Sequence, residues 1–259
     1  MGQHNPSIRE EALALLRRGL SNRTVAEQLN VPRGTVGWWL SEDRRRRGVR
    51  YQHPTDCPRC TGRTFDAPAY AYLLGLYLGD GHITSKAKQH HLSIFCTASW
   101  PGLIDAAEDA MRLVMPMPSV RRRSRQGCAE VKSFTKHWTC MFPQHGPGKK
   151  HEREIALESW QQEIVKAHPW EFVRGLIHSD GCRTMNWTTR MVNGERKRYE
   201  YPRYWFTNVS DDIRQLYTDT LDMLGIEWTH CTRHGKPYNI SVARKASVAL
   251  MDAHVGPKH

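Results

Sequence analysis

The sequence has no apolar stretch near the ~20 residues that a membrane-spanning helix requires, and its mean hydropathy is −0.65. It opens without an apolar signal segment, and its seven cysteines are an odd number. The expectation is therefore a reducing cytoplasm, at the nucleoid, and not secretion behind a disulfide framework. Neither a Cys or Ser at the start nor a His-Asn at the end marks a self-splicing element. Only one Cys-x-x-Cys occurs, Cys57-Pro58-Arg59-Cys60. With His53 four positions earlier it offers three donors, fewer than a closed structural zinc site needs, and the other cysteines are scattered, so zinc is the lesser reading. Acidic residues are also short: 26 Asp and Glu face 38 Lys and Arg, leaving +12. A pI near 9.6 fits a surface that meets phosphates.

What is present is a phrase that occurs twice. Leu73-Leu74-Gly75-Leu76-Tyr77-Leu78-Gly79-Asp80-Gly81 is matched by Val173-Arg174-Gly175-Leu176-Ile177-His178-Ser179-Asp180-Gly181. Each reads as an apolar helix with small residues four apart, which leaves a flat stripe where a second backbone can approach. Both end on Asp-Gly, where a single copy would be an ordinary helix stop. If the helices lie side by side, Asp80 and Asp180 meet at two negative dipole ends and repel unless a cation lies between them.

The flanks repeat too. Phe95-Cys96-Thr97-Ala98-Ser99 follows the first phrase and Phe206-Thr207-Asn208-Val209-Ser210 the second, each leading into an amphipathic helix. A basic glycine hairpin comes next, Val120 to Gly127 and Thr232-Arg233-His234-Gly235-Lys236, then strands carrying Lys136 and Lys245. The copies close on Gly146-Pro147-Gly148-Lys149 and Gly256-Pro257-Lys258. The predicted architecture is α+β, with helix, two strands, helix, two strands and helix in each half, and strands antiparallel.

Over roughly the last three quarters of the chain, these residues resemble the LAGLIDADG homing endonucleases in their single-chain, two-motif form. The resemblance implies two pseudo-symmetric αββαββα repeats with saddle-shaped sheets, here 67–165 and 166–259, that straddle double-stranded DNA as a monomer. It implies further that Asp80 and Asp180 hold divalent metal, Mg²⁺ in most of the family, for hydrolysis of one phosphodiester on each strand. By register, Lys136 and Lys245 match the family's assisting bases, with Lys132 and Arg244 close enough to be confused with them. His178 departs from the motif and is read as a helix-packing residue, and Arg174 as facing solvent or DNA. Some regulators resemble this fold joined to a helix-turn-helix, so a non-cleaving DNA-binding transcriptional regulator is the alternative.

Two basic segments are candidate DNA-reading strands: the run bearing Arg121, Arg123 and Arg125, and the aromatic-rich stretch with Arg196 and Arg198, joined by Arg233 in the second hairpin. Alternate residues of a strand share a face and can present donors to the major groove. The first 45 residues read as a small all-α helix-turn-helix. Ser7 and Glu10 form a capping box, Gly19 ends the first helix, and Asn30 sits at a turn. Val31, Val36 and Leu40 close a small core, and Arg33, Thr35 and Trp38 face outward for bases. A basic, polar linker, 46–66, follows.

Overall fold

The computed structural model describes residues 6–48, 55–86, 89–233 and 235–259, with the side chain of Arg233 left aside. The chain divides into two compact units, one up to Pro54 and one from Thr55 onward.

The first unit contains α1 (Pro6–Arg17), α2 (Asn22–Gln28) and α3 (Arg33–Arg46) around Ala12, Leu13, Val25, Ala26, Val31, Val36 and Trp39. Ser21 caps α2 by accepting from the Thr24 amide at 3.1 Å. Asn30 takes the left-handed φ of 48° that the turn before α3 requires. Pro6 is already helical, so Ser7 lies inside α1 and is not its cap. Trp39, not Leu40, fills the core, and α3 runs on through the arginine block, part of which was expected in a linker. Glu42 and Asp43 draw those arginines back along the helix: Arg46 bonds Glu42 at 2.9 Å and Arg47 pairs with Asp43 at 2.9 Å.

The second unit opens with the four-residue α4 (Pro58–Thr61) and then runs twice through the predicted order. The first repeat has α5 (Ala67–Leu78), β1 (Gly81–Lys86), β2 (Gln89–Thr97), α6 (Pro101–Val114), β3 (Val120–Arg125), β4 (Cys128–Ser133), the short α7 (Trp138–Met141) and α8 (Ser159–Ala167). The second has α9 (Pro169–Asp180), β5 (Gly181–Val192), β6 (Glu195–Thr207), α10 (Asp211–Met223), β7 (Thr229–Arg233), β8 (Lys236–Val242) and α11 (Lys245–His254). Each sheet is antiparallel, with orders β1-β2-β4-β3 and β5-β6-β8-β7. The second hairpin is much the longer: β6 meets β8 only from Tyr204 to Thr207, so most of β5 and β6 forms a two-stranded ribbon. It turns through Asn193 and Gly194, both at positive φ.

The paired motif helices α5 and α9 form the centre of the core. A Cβ at Gly75 would stand 2.5 Å from the Phe172 carbonyl oxygen, and one at Gly175 would stand 2.2 Å from that of Tyr72. The helices therefore touch backbone to backbone. Ser179 stands in place of a fourth glycine, turning its hydroxyl to the Gly175 and Leu176 carbonyls, both at 3.0 Å. The Asp-Gly ends do not use glycine's left-handed freedom, since Gly181 has φ −109°. Glycine is required there because a Cβ at Gly81 or Gly181 would strike Tyr77 or Ile177.

His178 is buried at this interface, with its Nδ1 2.9 Å from the Tyr72 hydroxyl, in keeping with a packing role. Arg174 does not face solvent: it is half-buried, its guanidinium 4.6 Å from the Tyr72 ring centroid. The repeats also align one residue away from the sequence expectation. Gly81 pairs with Ile94 and Gly181 with Phe206, so Ile94 is the counterpart of Phe206, and Phe95 turns to the opposite face.

Gly175→Ala or Gly75→Ala should destabilise the protein by at least about 3 kcal/mol, because the methyl meets backbone that cannot yield. Gly34→Ala, where nothing lies within 4 Å, should be neutral or stabilising by about 0.5–1 kcal/mol. Urea midpoints at unchanged m-value test the contrast, and equal effects would contradict the packing.

Candidate functional site

The close helix pair delivers Asp80 and Asp180 to one place. Asp180 is the last residue of α9, and Asp80 follows the cap of α5. Asp180 Oδ2 lies 3.0 Å from where a Cβ would stand on Gly79, so the second carboxylate reaches over the end of the first helix. Asp80 is open to solvent and Asp180 half-open, yet protein packs closely around both. This desolvation, then the charge of Asp180, pushes Asp80 up to about 6. Asp180 is also raised by burial, opposed by a hydrogen bond from Asn208 Nδ2 to its Oδ2 at 2.6 Å.

Two lysines hold this arrangement together. Lys150 Nζ donates to the carbonyls of Tyr77, Gly79 and Gly81 at 2.6, 2.6 and 2.9 Å, closing the negative end of α5. Lys258 does the same for α9, reaching Ser179 O at 3.0 Å. Both come from the Gly-Pro segments that close the repeats. Burial lowers Lys150 to about 8, with the two aspartates opposing the shift. Lys258 and Lys150 are the principal cations acting on Asp80.

Lys136 and Lys245 stand elsewhere. β4 ends at Ser133 and β8 at Val242, so neither lysine is on a strand; Lys136 precedes α7 beside His137, and Lys245 opens α11. Lys132 lies on β4 and pairs with the buried Glu130 at 3.0 Å, while Arg244 pairs with Glu227. The signal for Lys150 and Lys258 was in the sequence, in the matched closing segments Gly146-Pro147-Gly148-Lys149-Lys150 and Gly256-Pro257-Lys258.

Strand register sorts the basic residues. In the first sheet, Ile83, Leu92, Ile94 and Val131 face the core. The opposite face carries Thr84, His91, Ser93 and Lys132 with Arg121, Arg123 and Arg125, as alternation predicts. Arg122 faces the other way and is held by Glu108 and Asp105. Glu130 anchors the outer face, accepting from Ser93 at 2.9 Å and from Arg125 at 3.0 Å. An open groove along it is lined by His82, Thr84, Lys86, His91 and Lys132.

In the second sheet, Tyr204 and Phe206 face the core, and Arg196 and Arg198 share their parity. Arg198 lies 5.0 Å from the ring centroid of the exposed Trp187. The outer face carries instead Arg190, Lys197 and Arg203 with Asn186 and Tyr201. The side chain of Arg233 is outside the described residues. In the first unit, Arg33 is exposed, Thr35 half-buried, and Trp38 59% exposed. His53 also lies outside the described residues. Cys57 and Cys60 instead meet His137 and Cys140, with all four donor atoms within 4.8 Å of one another.

Two αββαββα repeats joined through glycine-packed helices, each ending at an aspartate, decide the architecture. The chain has the twice-repeated architecture that the resemblance to the LAGLIDADG family implies. Similar solved structures include mesophilic variants of the homing endonuclease I-DmoI, at 14% identity and TM-score 0.49 over 73% of this chain and 89% of that one. The homing endonuclease I-WcaI bound to its DNA recognition sequence matches at 12% and 0.47, over 74% and 82%. The N-terminal LAGLIDADG domain of DUF199/WhiA matches at 11% and 0.45, over 74% and 83%. No family model and no curated protein matches the sequence. The fold and the chemistry therefore both rest on this chain's own elements and side chains.

The paired aspartates make a measurable demand. With Asp80 raised to about 6 from 3.8, the folded state binds its proton more tightly than the unfolded state. The resulting penalty is fully present above 6 and is relieved as pH falls towards 3.8. Metal-free Asp80→Asn should therefore melt above the parent at about pH 7, and the two should converge near pH 4. Identical melting at both pH values would show that the carboxylates do not strain the site.

Proposed function

We propose that this protein is a site-specific double-stranded DNA endonuclease of the LAGLIDADG homing type, acting as a monomer with Mg²⁺ held by Asp80 and Asp180. The observation that carries the reading is the pair of carboxylates at two abutting helix ends, where burial and mutual repulsion favour an added cation. The donor set fits such an ion: hard carboxylate oxygens, few in number, suit Mg²⁺, which keeps waters and takes phosphate oxygens as its other ligands. When bound, the cation supplies Lewis-acid stabilisation of charge on the phosphate and lowers the pKa of a water.

The chain's own residues do the rest. Lys150 and Lys258 fix the ends of α5 and α9 so that the two carboxylates stay in register, and their charges lie close to where phosphates would approach. Asn208 orients Asp180 through its amide. At the corresponding place in the first repeat, one pair beyond Ile94, stands Cys96, whose thiol is pushed up to about 12 by burial and then by Asp80. The half-sites are thus unequal, which supports an asymmetric target and unequal cutting of the two strands. Arg121, Arg123 and Arg125 on one sheet and Arg190, Lys197 and Arg203 on the other supply donors for phosphates and base edges. The first unit, read as a helix-turn-helix, adds Arg33, Thr35 and Trp38.

One observation favours a second reading, a DNA-binding transcriptional regulator without cleavage. Lys150 and Lys258 oppose the repulsion of the two carboxylates, so part of their charge is met without a metal. Cleavage of a randomised duplex library with Mg²⁺, and separately Ca²⁺, distinguishes the readings. The endonuclease reading expects Mg²⁺-dependent double-strand breaks that vanish in Asp80→Asn/Asp180→Asn, while each single variant accumulates nicks in one strand. Specific binding with no cut under either ion would establish the regulator.

Surface assignments are tested by salt dependence. Alanine at Arg121, Arg123 and Arg125 should flatten the slope of log affinity against log salt by about 0.9 for each phosphate that is no longer neutralised. The same change at Arg122, which is tied to Glu108, should leave the slope unaltered; the reverse pattern would mean that the helix-side face meets DNA.

A further inference from the structure

Two one-turn helices far apart in sequence face each other with four metal-binding side chains between them. Cys57 caps α4 and Cys60 lies within it, and Gly62, at φ 70°, closes the turn. His137 caps α7 and Cys140 lies within it. In each helix the two donors are three apart, so both project from the same side of the turn. The pairs come together across 77 to 80 residues of chain. Cys60 Sγ is 3.4 Å from His137 Nδ1 and 3.7 Å from Cys140 Sγ, and Cys140 Sγ is 3.8 Å from His137 Nδ1.

These separations match one ion better than any pairwise bond. Ligands at ~2.3 Å for sulfur and ~2.05 Å for nitrogen around a tetrahedral centre stand ~3.8 Å apart between sulfurs and ~3.6 Å between sulfur and nitrogen. A disulfide needs sulfurs at ~2.05 Å and would leave the remaining thiol and the imidazole without a purpose. Among the described residues this is the one cluster of His, Cys, Asp and Glu donors with such convergence. Three thiols and an imidazole are soft donors that select zinc over Mg²⁺ and differ in kind from the paired aspartates. Four protein ligands leave no open coordination position, which is the mark of a structural site. Arg59 and Lys136, adjacent in sequence to the ligands, offset the net negative charge of three thiolates around a dication.

The geometry points to a structural Zn²⁺ site formed by Cys57, Cys60, His137 and Cys140, which clamps the segment entering the second unit onto the first repeat. The clamp has a route to the motif helix. α7 contributes Trp138 and Met141 to the core, and the Met141 carbonyl accepts from the Tyr70 hydroxyl of α5 at 2.5 Å. On the other side, Arg63 ties the segment after α4 to the carbonyl of Val114 at 3.0 Å. This assignment is independent of whether the protein cleaves DNA.

The test is the metal content of full-length protein purified without chelator, by elemental mass spectrometry, paired with cysteine alkylation read by peptide mass. One zinc per chain is expected, with the exposed Cys60 protected from alkylation while the exposed Cys182 reacts. Cobalt-loaded protein should show the intense visible bands of a tetrahedral thiolate site. Cys140→Ser should lose the zinc and melt lower, whereas His137→Cys should retain it as a four-cysteine site. If Cys140→Ser fails to fold, the parent's metal content, protection pattern and cobalt spectrum still decide. Protein without zinc that alkylates freely at Cys60, a Cys60–Cys140 disulfide, or zinc that persists in folded Cys140→Ser would each overturn the assignment.

Discussion

The backbone contact between α5 and α9 is the constraint on which the second unit depends. Gly75 and Gly175 each occupy a place where a methyl group would enter the other helix's main chain. Ser179 is tolerated beside Gly79 because its hydroxyl finds carbonyl acceptors within its own helix. No larger residue would let the helices approach so closely. Without that approach Asp80 and Asp180 would stand apart as two unremarkable helix ends.

Such close packing carries an electrostatic cost, since two helix C-termini and two carboxylates are brought into one region. Lys150 and Lys258 relieve it by donating to the terminal carbonyls, one lysine for each helix, each from the tail of its own repeat. The two-fold logic is not complete. Asn208 stabilises the ionised form of Asp180, whereas the register counterpart of Asn208 in the first repeat is Cys96, whose thiol feels the charge of Asp80. The ribbon of β5 and β6 likewise extends far beyond the first repeat's hairpin. Both asymmetries make the two repeats unequal.

The helix pair and the succession of helices and strands were legible because they rest on local patterns: small residues four apart, an aspartate at each end, and turns marked by glycine. Arg121, Arg123 and Arg125 were equally legible, since alternation alone puts them on one face. Arg196 and Arg198 were not, because parity depends on where the pairing begins, and that register is set by Gly181 meeting Phe206. The lysines were misplaced for a related reason. Lys136 and Lys245 were assigned to strands that end three residues earlier, and chain distance concealed that the closing segments fold back to the motif helices. Distance in sequence also hid His137 and Cys140 from the Cys57–Cys60 pair, a convergence that only the packing of α4 on α7 creates.

In these terms the fold is a device for bringing two carboxylates together, and the proposed function gives them a cation to hold. The most direct test is an anomalous difference map from crystals of the DNA complex grown with Mn²⁺. A manganese peak is predicted between Asp80 and Asp180, touching phosphate oxygens of the duplex. Bound duplex with ordered aspartates and no peak between them would contradict that arrangement.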